Sequence, residues 1–431
     1  MKRARLGSAM FTVSVATGLL AAVTGIADAG TSHSSASSTA LSSNWYASAP
    51  YLMPLSNNPP NPTTVMAATG QKAFQLAFIL SGGGCSASWD GTDAVSTDTQ
   101  VGGVINNIRA AGGDVSVSVG GYGGTKLGQT CSDVASTAAA YQAVVSKYGL
   151  KAIDFDLEEP EYEDSAAIGR ELGAAHTLQQ NNPGLFISVT MPGTSAGTGY
   201  FGTQLIDQAK SIGFTPNNYS IMPFDGGFAG GSAQVSALEG LHGILMSHLG
   251  WDSQTAYAHE GFSGMNGKSD NGEYFYQADF QTVLSYATSH GLGRFTFWSV
   301  NRDRACGAST DNGICSNVNQ NDWDFTKFTA QFAGATPPTT TPPPPTTTPP
   351  GGCSAGAWNA TTAYNGGAVV SYNGHNWTAK WWTQGDVPGN NSQGVWTEPT
   401  INVISGSDDC RLLCFFSGGC PHSSTISAVQ V

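Results

Sequence analysis

Basic residues are scarce in this 431-residue chain. Seventeen Lys and Arg stand against 30 Asp and Glu, the formal net charge is −13, and charged residues make up only 11% of the whole. Nucleic acids and anionic membranes both require a dense basic face, so neither is an expected partner. None of the eight cysteines lies in a CxxC pair, which removes the usual signature of thiol redox and zinc sites. No metal or cofactor is expected. After the first thirty residues no run approaches the roughly 18 apolar residues of a membrane span.

Those first residues carry their own signal. Lys2, Arg3 and Arg5 precede an apolar run from about Met10 to Ile26, and Ala27-Asp28-Ala29 is a small-x-small cleavage site. The pattern predicts a secretory signal peptide over 1–29, a secreted, extracellular monomer, and cysteines paired as disulfides in an oxidising compartment. A Ser/Thr-rich leader over 30–43 reads as disordered. What the chain does contain in quantity is Gly, Ser, Thr, Asn and aromatics, including 10 Trp and 14 Tyr. Neutral hydrogen-bonding groups and flat rings suit an uncharged polar ligand such as a sugar polymer.

One boundary is plain. Residues 335–352, ATPPTTTPPPPTTTPPGG, have no apolar pattern to bury and read as an extended linker. Before it, over 44–334, short β-rich runs recur at 74–80, 114–120, 152–158, 185–191, 218–224, 254–260 and 293–299, with an opening strand near 45–53. Helix-like segments ending in Gly or Asn alternate with them. Strand and helix alternating eight times predict an α/β fold, a (β/α)8 TIM barrel, whose site lies at the C-terminal ends of the strands.

The run KAIDFDLEEPE at 151–161 places Asp154, Asp156 and Glu158 alternately with Ile153, Phe155 and Leu157. A period of two sends all three acids to one face of a strand, as a ladder with ~6.6 Å steps. Stacked carboxylates with little water cannot all ionise cheaply, which lets one hold a proton near neutral pH and act as a general acid. An isolated DxDxE is more often a wetted strand face, and the barrel frame is what gives these acids an enclosed site. Other motifs fail. A calcium loop from Asp154 would need Gly where Glu159 stands and Glu where Ser165 stands; GGYGG at 120–124 is too loose for a nucleotide loop; His259-Glu260 lacks a second histidine.

Four blocks in order, SVGG at 118–121, the acidic ladder, MPFD at 222–225 and FWSVNRD at 297–303, resemble the signatures of glycoside hydrolase family 18, the chitinases: SxGG, DxxDxDxE, MxYD and the strand-eight tryptophan. The resemblance spans nearly all of 44–333. It implies Glu158 as the acid that protonates the glycosidic oxygen, and Asp156 as the group that orients the substrate's 2-acetamido arm while its carbonyl oxygen attacks the anomeric carbon. Asp154 and Ser118 would tune Asp156 from below. Asp225 and Met222 would line the same subsite and Trp298 would floor it. The implied activity is endo-acting, retaining hydrolysis of chitin; a chitin-binding lectin and an endo-β-N-acetylglucosaminidase on glycoprotein glycans are the alternatives. Two positions depart from the pattern: Lys151 replaces its first Asp, and Phe224 stands where MxYD has tyrosine. Little beyond one helix fits between strands seven and eight, which predicts an open, shallow groove.

After the linker, 353–398 carries five tryptophans, more than so small a unit can bury. Its AW, Y-x-x-G, V-x-Y-x-G-x-x-W and AKWW blocks resemble an all-β chitin-binding module of family 5/12, with Trp381, Trp382, Tyr364 and Trp396 as contact residues and one of the AKWW pair in the core. The tail at 399–431 is atypical, and its Cys410, Cys414 and Cys420 have no assigned partner, nor has Cys353. Cys85 and Cys131 follow neighbouring strands, and Cys306 and Cys315 bracket a short loop after strand eight. Both pairs are expected to be bridged across mouth loops.

Overall fold

Strands buried on both faces need apolar residues against the helices outside, and this chain supplies them. The computed structural model describes residues 41–335, 356–372, 375–389 and 394–397. Its strands are β1 (Tyr51–Leu52), β2 (Ala73–Ser81), the short β3 (Ala87–Trp89) and β4 (Asp93–Ala94), β5 (Asp114–Gly120), β6 (Ala152–Asp156), β7 (Phe186–Pro192), β8 (Asn218–Met222), β9 (Glu260–Met265), β10 (Gly267–Lys268), β11 (Tyr274–Phe275) and β12 (Arg294–Trp298). The sheet runs β12-β9-β8-β7-β6-β5-β2, with β1 beside β2, and these eight strands are parallel. Between β12 and the chain entering β1, Thr296 Oγ1 donates to the Ala49 carbonyl at 2.6 Å. Helices α1 (Ser43–Ala47), α2 (Pro62–Thr69), α3 (Gln100–Ala110), α4 (Leu127–Thr130), α5 (Val134–Tyr148), α6 (Ser165–Asn181), α7 (Tyr200–Ser211), α8 (Gly230–Leu249), α9 (Ser253–His259), α10 (Gln277–His290) and α11 (Thr326–Phe332) occupy the connections. The expected (β/α)8 barrel is what the chain forms.

Alternation along the strands separates two environments. Phe155 points outward and meets Tyr141 of α5 edge-to-face at 5.4 Å. The inward positions are polar: register sets Ser118, Asp154, Ser188 and Asn218 in one row, and Gly120, Asp156, Thr190 and Ser220 in the next toward the mouth.

Two strand assignments shift. The run at 254–260 is helix up to His259, in α9, capped by Asp252, whose carboxylate accepts from the Thr255 amide at 2.7 Å; the strand is β9, which begins at Glu260. EGFSGM has weak strand propensity, but a Cβ at Gly261 would collide with the Ser220 side chain, so packing inside the barrel selects it. At the start, 45–53 is strand only at Tyr51–Leu52. Trp45, Tyr46 and Ala47 form the helix α1 and pack with Ala73, Ala152 and Phe186 around the N-terminal ends of the strands. Leu41 packs there too, so 41–43 belongs to this cover rather than to a disordered leader. The remainder of the leader, the signal peptide and the linker after Ala335 lie outside the described residues.

Both expected disulfides are present, Cys85–Cys131 and Cys306–Cys315. In the module, β13 (Ala363–Tyr364) pairs with β16 (Thr383–Gln384), and β14 (Val369–Tyr372), β15 (His375–Ala379) and β17 (Trp396–Thr397) form an antiparallel sheet. Its core is Val370, Ala379, Val395 and Trp396. Cys353, Cys410, Cys414 and Cys420 fall outside the described residues.

A buried carboxyl far from the mouth offers a test of this packing. Glu260 at the start of β9 is fully buried, and neither carboxyl oxygen has a hydrogen-bond partner. His242 Nδ1 lies 3.3 Å from it. Burial, aided by Glu239, raises the Glu260 pKa to about 9, and burial lowers that of His242; the contact is between a neutral acid and a neutral imidazole. A carboxyl whose folded pKa lies above its unfolded value stabilises the fold below the unfolded pKa, and the contribution is lost as pH rises through the folded one. The melting temperature should therefore decline between about pH 5 and 9, and Glu260→Gln should flatten that decline. Parallel melting curves for parent and variant across this range would count against the assignment.

Candidate active site

The mouth of the barrel holds a cleft of ≈ 820 Å³ lined by, among others, Asp156, Glu158, Met222, Phe224, Asp225 and Trp298. The acidic ladder reaches it in the expected order. Asp154 is deepest and fully buried, Asp156 is 2% exposed, and Glu158 is half-buried at the cleft, two residues past the end of β6.

Asp154 is held by six donors. Tyr51 Oη (3.0 Å), Gln75 Nε2 (2.9 Å) and Ser118 Oγ (2.8 Å) donate to Oδ2, and Ser188 Oγ (2.5 Å), Thr190 Oγ1 (2.9 Å) and an Arg294 guanidinium nitrogen (2.6 Å) donate to Oδ1. Arg294 also donates to Gln75 Oε1 at 2.8 Å and is fully buried. Burial works against its charge, yet the adjacent Asp154 more than offsets this, so its pKa is raised. Ser118 therefore supports Asp154 from the neighbouring strand and does not line the cleft.

Asp156 contrasts with it. Its Oδ1 is buried without a hydrogen-bond partner. Burial, then the charges of Glu158 and Asp154, push its pKa well above the carboxylate range against the pull of Arg294. Glu158 is raised to about 7, by burial first and then by Glu159, with Lys126 opposing. Two neighbouring carboxyls that both resist ionisation hold a proton between them near neutrality.

The motif glycines have a steric cause. Gly120 has φ +99°, and a Cβ there would overlap the Asp156 carbonyl oxygen; Gly121 has φ +82°, and a Cβ would press on the Phe78 ring at 2.8 Å. Only glycine lets β5 end this close to the acid ladder. The Phe78 ring in turn stacks on Trp298, with centroids 5.5 Å apart and planes 10° apart, and Tyr51 meets Trp298 edge-on at 5.7 Å. Trp298 thus presents a ring to the cleft with its position fixed from behind.

The loop after Glu158 is anchored too. Tyr162 N donates to the Glu158 carbonyl at 2.9 Å, and Glu161 and Glu171 are buried together beneath it. Tyr141 Oη (2.8 Å) and Gly128 N (2.5 Å) donate to Glu171 Oε1. Burial raises Glu161 to about 10 and Glu171 to about 7. Nearby Lys126 donates to the carbonyls of Tyr122 (2.8 Å) and Gly124 (3.1 Å), and burial lowers its pKa.

Asp225 lines the cleft with φ +59°, and its Oδ1 accepts from the Asn271 amide at 2.7 Å. Phe224 lines it as well, two residues past the end of β8, where Pro192 of β7 faces Met222. Between β9 and β12 the chain adds only the β10–β11 hairpin and α10, and Asp270 and Asn271 of the hairpin reach the cleft. Sequence reasoning missed Arg294, Gln75, Tyr51, Ser188, Thr190 and Phe78. For all but Phe78 the signal was a polar residue at an inward strand position, legible only once the inward face is known; Phe78, inside an apolar run of β2, carried none.

In the module, Trp381 and Trp382 are 42% and 43% exposed. Two expectations there are corrected. Trp396, expected as a contact, is buried in the core with Nε1 donating to the Asp386 carbonyl at 2.9 Å. Neither of the paired tryptophans is core, because Val370, Ala379, Val395 and Trp396 already fill so small an interior. Tyr364 is half-buried, packed edge-on against Trp396 at 5.5 Å. Among the described residues no group of His, Cys, Asp or Glu is placed to hold a metal, and no helix is long and apolar enough to cross a membrane.

Residues 357–397 match the family model "Carbohydrate-binding module family 5/12". Over 250 residues the chain is 29% identical to a probable bifunctional chitinase/lysozyme of Escherichia coli K12, covering 53% of this chain and 28% of that protein. Over 217 residues it is 30% identical to endochitinase 11 of Metarhizium anisopliae, covering 46% and 42%. The aligned regions thus span less than half of either relative. The catalytic domain of a hyperthermophilic chitinase from Pyrococcus furiosus superposes with a TM-score of 0.60 at 23% identity, over 66% of this chain and 94% of that one. Catalytic-site mutants of the active domain 2 of a thermostable chitinase from the same organism, complexed with chito-oligosaccharides, give 0.61 at 22%.

The Asp154–Arg294 pair permits a stability test. Removing one partner of a buried ion pair typically costs about 3–5 kcal/mol, whereas replacing both is often near neutral. Arg294→Met should destabilise by about that amount in urea unfolding, and Arg294→Met with Asp154→Asn should recover a clear part of the loss. A double variant no more stable than Arg294→Met would show that the charge left on Asp154 is not the cause.

Proposed function

We propose that this chain, a barrel of the chitinase catalytic-domain fold joined to a family 5/12 carbohydrate-binding module, is a secreted family 18 endochitinase. Its reaction is the hydrolysis of β-1,4-linked N-acetylglucosamine polymer with retention of configuration. The observation that carries the reading is the graded ladder: Asp154 fixed by an ion pair, Asp156 buried with an unpartnered oxygen, and Glu158 at the cleft with its pKa at about 7.

In the mechanism, Glu158 gives its proton to the glycosidic oxygen as the bond to the anomeric carbon breaks. The substrate's own acetamide carbonyl oxygen attacks that carbon, so no protein nucleophile is required, and family 18 is an exception to the two-carboxylate scheme on this account. Positive charge develops on the acetamide nitrogen. Asp156 accepts its N–H and stabilises that charge, with its Oδ1 free of other partners. Water, deprotonated by Glu158 now acting as base, then opens the cyclic intermediate. Trp298 stacks on the apolar face of the sugar at the point of cleavage. With Phe224 in the tyrosine position, the acetamide carbonyl receives no phenolic hydrogen bond from this strand. The low walls left by the short β10–β11 hairpin favour internal cleavage, and Trp381 and Trp382 hold the module on insoluble chitin.

Three measurements test this. Glu158→Gln should retain the fold and lose roughly 10²–10⁴-fold in kcat on chito-oligosaccharides. Because the active form is protonated, kcat/KM for the parent should fall as pH rises through about 7. A variant with most of its activity intact would remove Glu158 from the role. In the module, Trp381→Ala with Trp382→Ala should weaken retention on insoluble chitin while leaving rates on short soluble oligosaccharides unchanged; unchanged retention would remove the pair from the binding face.

A further inference from the structure

The described barrel residues include five exposed large aromatics, Tyr122, Tyr200, Phe201, Tyr274 and Tyr276 among them without exception placed beyond the C-terminal ends of β5, β7 or β9. Exposed rings confined to one end of a molecule mark that end as a contact surface. Tyr274, in β11, and Tyr276, just past its end, form a pair. They alternate with the fully buried Phe275, are 43% and 50% exposed, and hold their rings near-parallel, 16° apart with centroids at 6.3 Å.

The hairpin beneath them is fixed from several sides. Arg302 donates to the carbonyls of Asn266 (2.7 Å) and Lys268 (2.5 Å). The Glu273 carboxylate accepts from the amides of Asp225 (2.7 Å), Gly227 (2.5 Å) and Phe228 (2.8 Å), and Asp279 accepts from the amides of Tyr276 and Gly231, both at 2.8 Å. Rings on a rigid base lose little freedom when a ligand covers them. The same hairpin enters the cleft three residues earlier, at Asn271. Three residues span at most about 11 Å, so the strip lies within a couple of sugar rings of the cleft lining.

We propose that Tyr274 and Tyr276 form an outlying sugar-binding subsite that stacks on a chito-oligosaccharide chain extending out of the cleft past the β10–β11 hairpin. The inference rests on the function proposed above for its ligand. Tyrosine rings backed by a buried Phe275 offer apolar faces to pyranose rings, and their hydroxyls remain free for the sugar's polar edge. The site therefore acts on long chains and is indifferent to short ones.

The test uses the full chain carrying Glu158→Gln, Trp381→Ala and Trp382→Ala, so that neither turnover nor the module contributes, with hydrolysis by the parent assayed separately. Affinities for the trimer and the hexamer of N-acetylglucosamine are measured by calorimetry with and without Tyr274→Ala and Tyr276→Ala. Hexamer affinity should fall roughly tenfold, trimer affinity should hold, and the Tyr274→Phe, Tyr276→Phe pair should keep most of the hexamer affinity. Hexamer binding unchanged by the alanines, or trimer binding lost in step with it, overturns the subsite. A parent that binds oligosaccharide and hydrolyses none would instead overturn the proposed reaction and leave the subsite result standing.

Discussion

An ion pair enclosed in the barrel lumen, Arg294 with Asp154, is the interaction on which the rest of the site depends. Both side chains are fully buried, and a pair in that position is tolerated only if the remaining donors and acceptors are satisfied. The strands meet this demand at the carboxylate from two adjacent layers, and the Arg294 Nε alone of the pair's polar atoms is left without a partner. Gln75 from β2, Ser118 from β5, Ser188 and Thr190 from β7 and Tyr51 from β1 converge on one carboxylate. The network ties β6 to β1, β2, β5, β7 and β12 and, through β6, holds the height at which Asp156 and Glu158 stand.

The charge fixed below acts on what lies above. Asp156 has one oxygen without a partner and the Asp154 carboxylate two positions deeper, so it resists ionisation; Glu158, nearer solvent, is raised less far. Three carboxyls at successive depths thus acquire three characters from burial together with the donors and charges around each. The loop beyond Glu158 adds a second buried pair, Glu161 and Glu171, which shares the space under Gly128 where any Cβ would intrude. The acid is therefore held from both sides, by the strand that leads into it and by the loop that leaves it.

The mouth follows a different rule. Below the acids the side chains are polar and bonded to one another, whereas the cleft is bordered by rings: Phe78 behind Trp298, Tyr122 after β5, and the Tyr274–Tyr276 pair beyond the hairpin. The hairpin serves both rules, since Glu273 binds the backbone that carries Asp225 while the neighbouring residues extend the wall.

The sequence by itself determined the fold class, the ladder and its order, because a period of two and a repeat of strand and helix are local properties of the chain. It also determined the two disulfides and the aromatic surplus of the module. Only the tertiary structure decided that 254–259 is helix and that EGFSGM is the strand, since the choice rests on Gly261 fitting against Ser220 across the sheet. Likewise, nothing near Trp396 in the chain marks it as core and Trp381 and Trp382 as surface; that follows from which side chain fills a four-residue interior first. Arg294 shows the limit most clearly. It precedes an apolar run at the start of β12, 140 residues from Asp154, and its partner is set by the closure of the barrel, which no local pattern encodes.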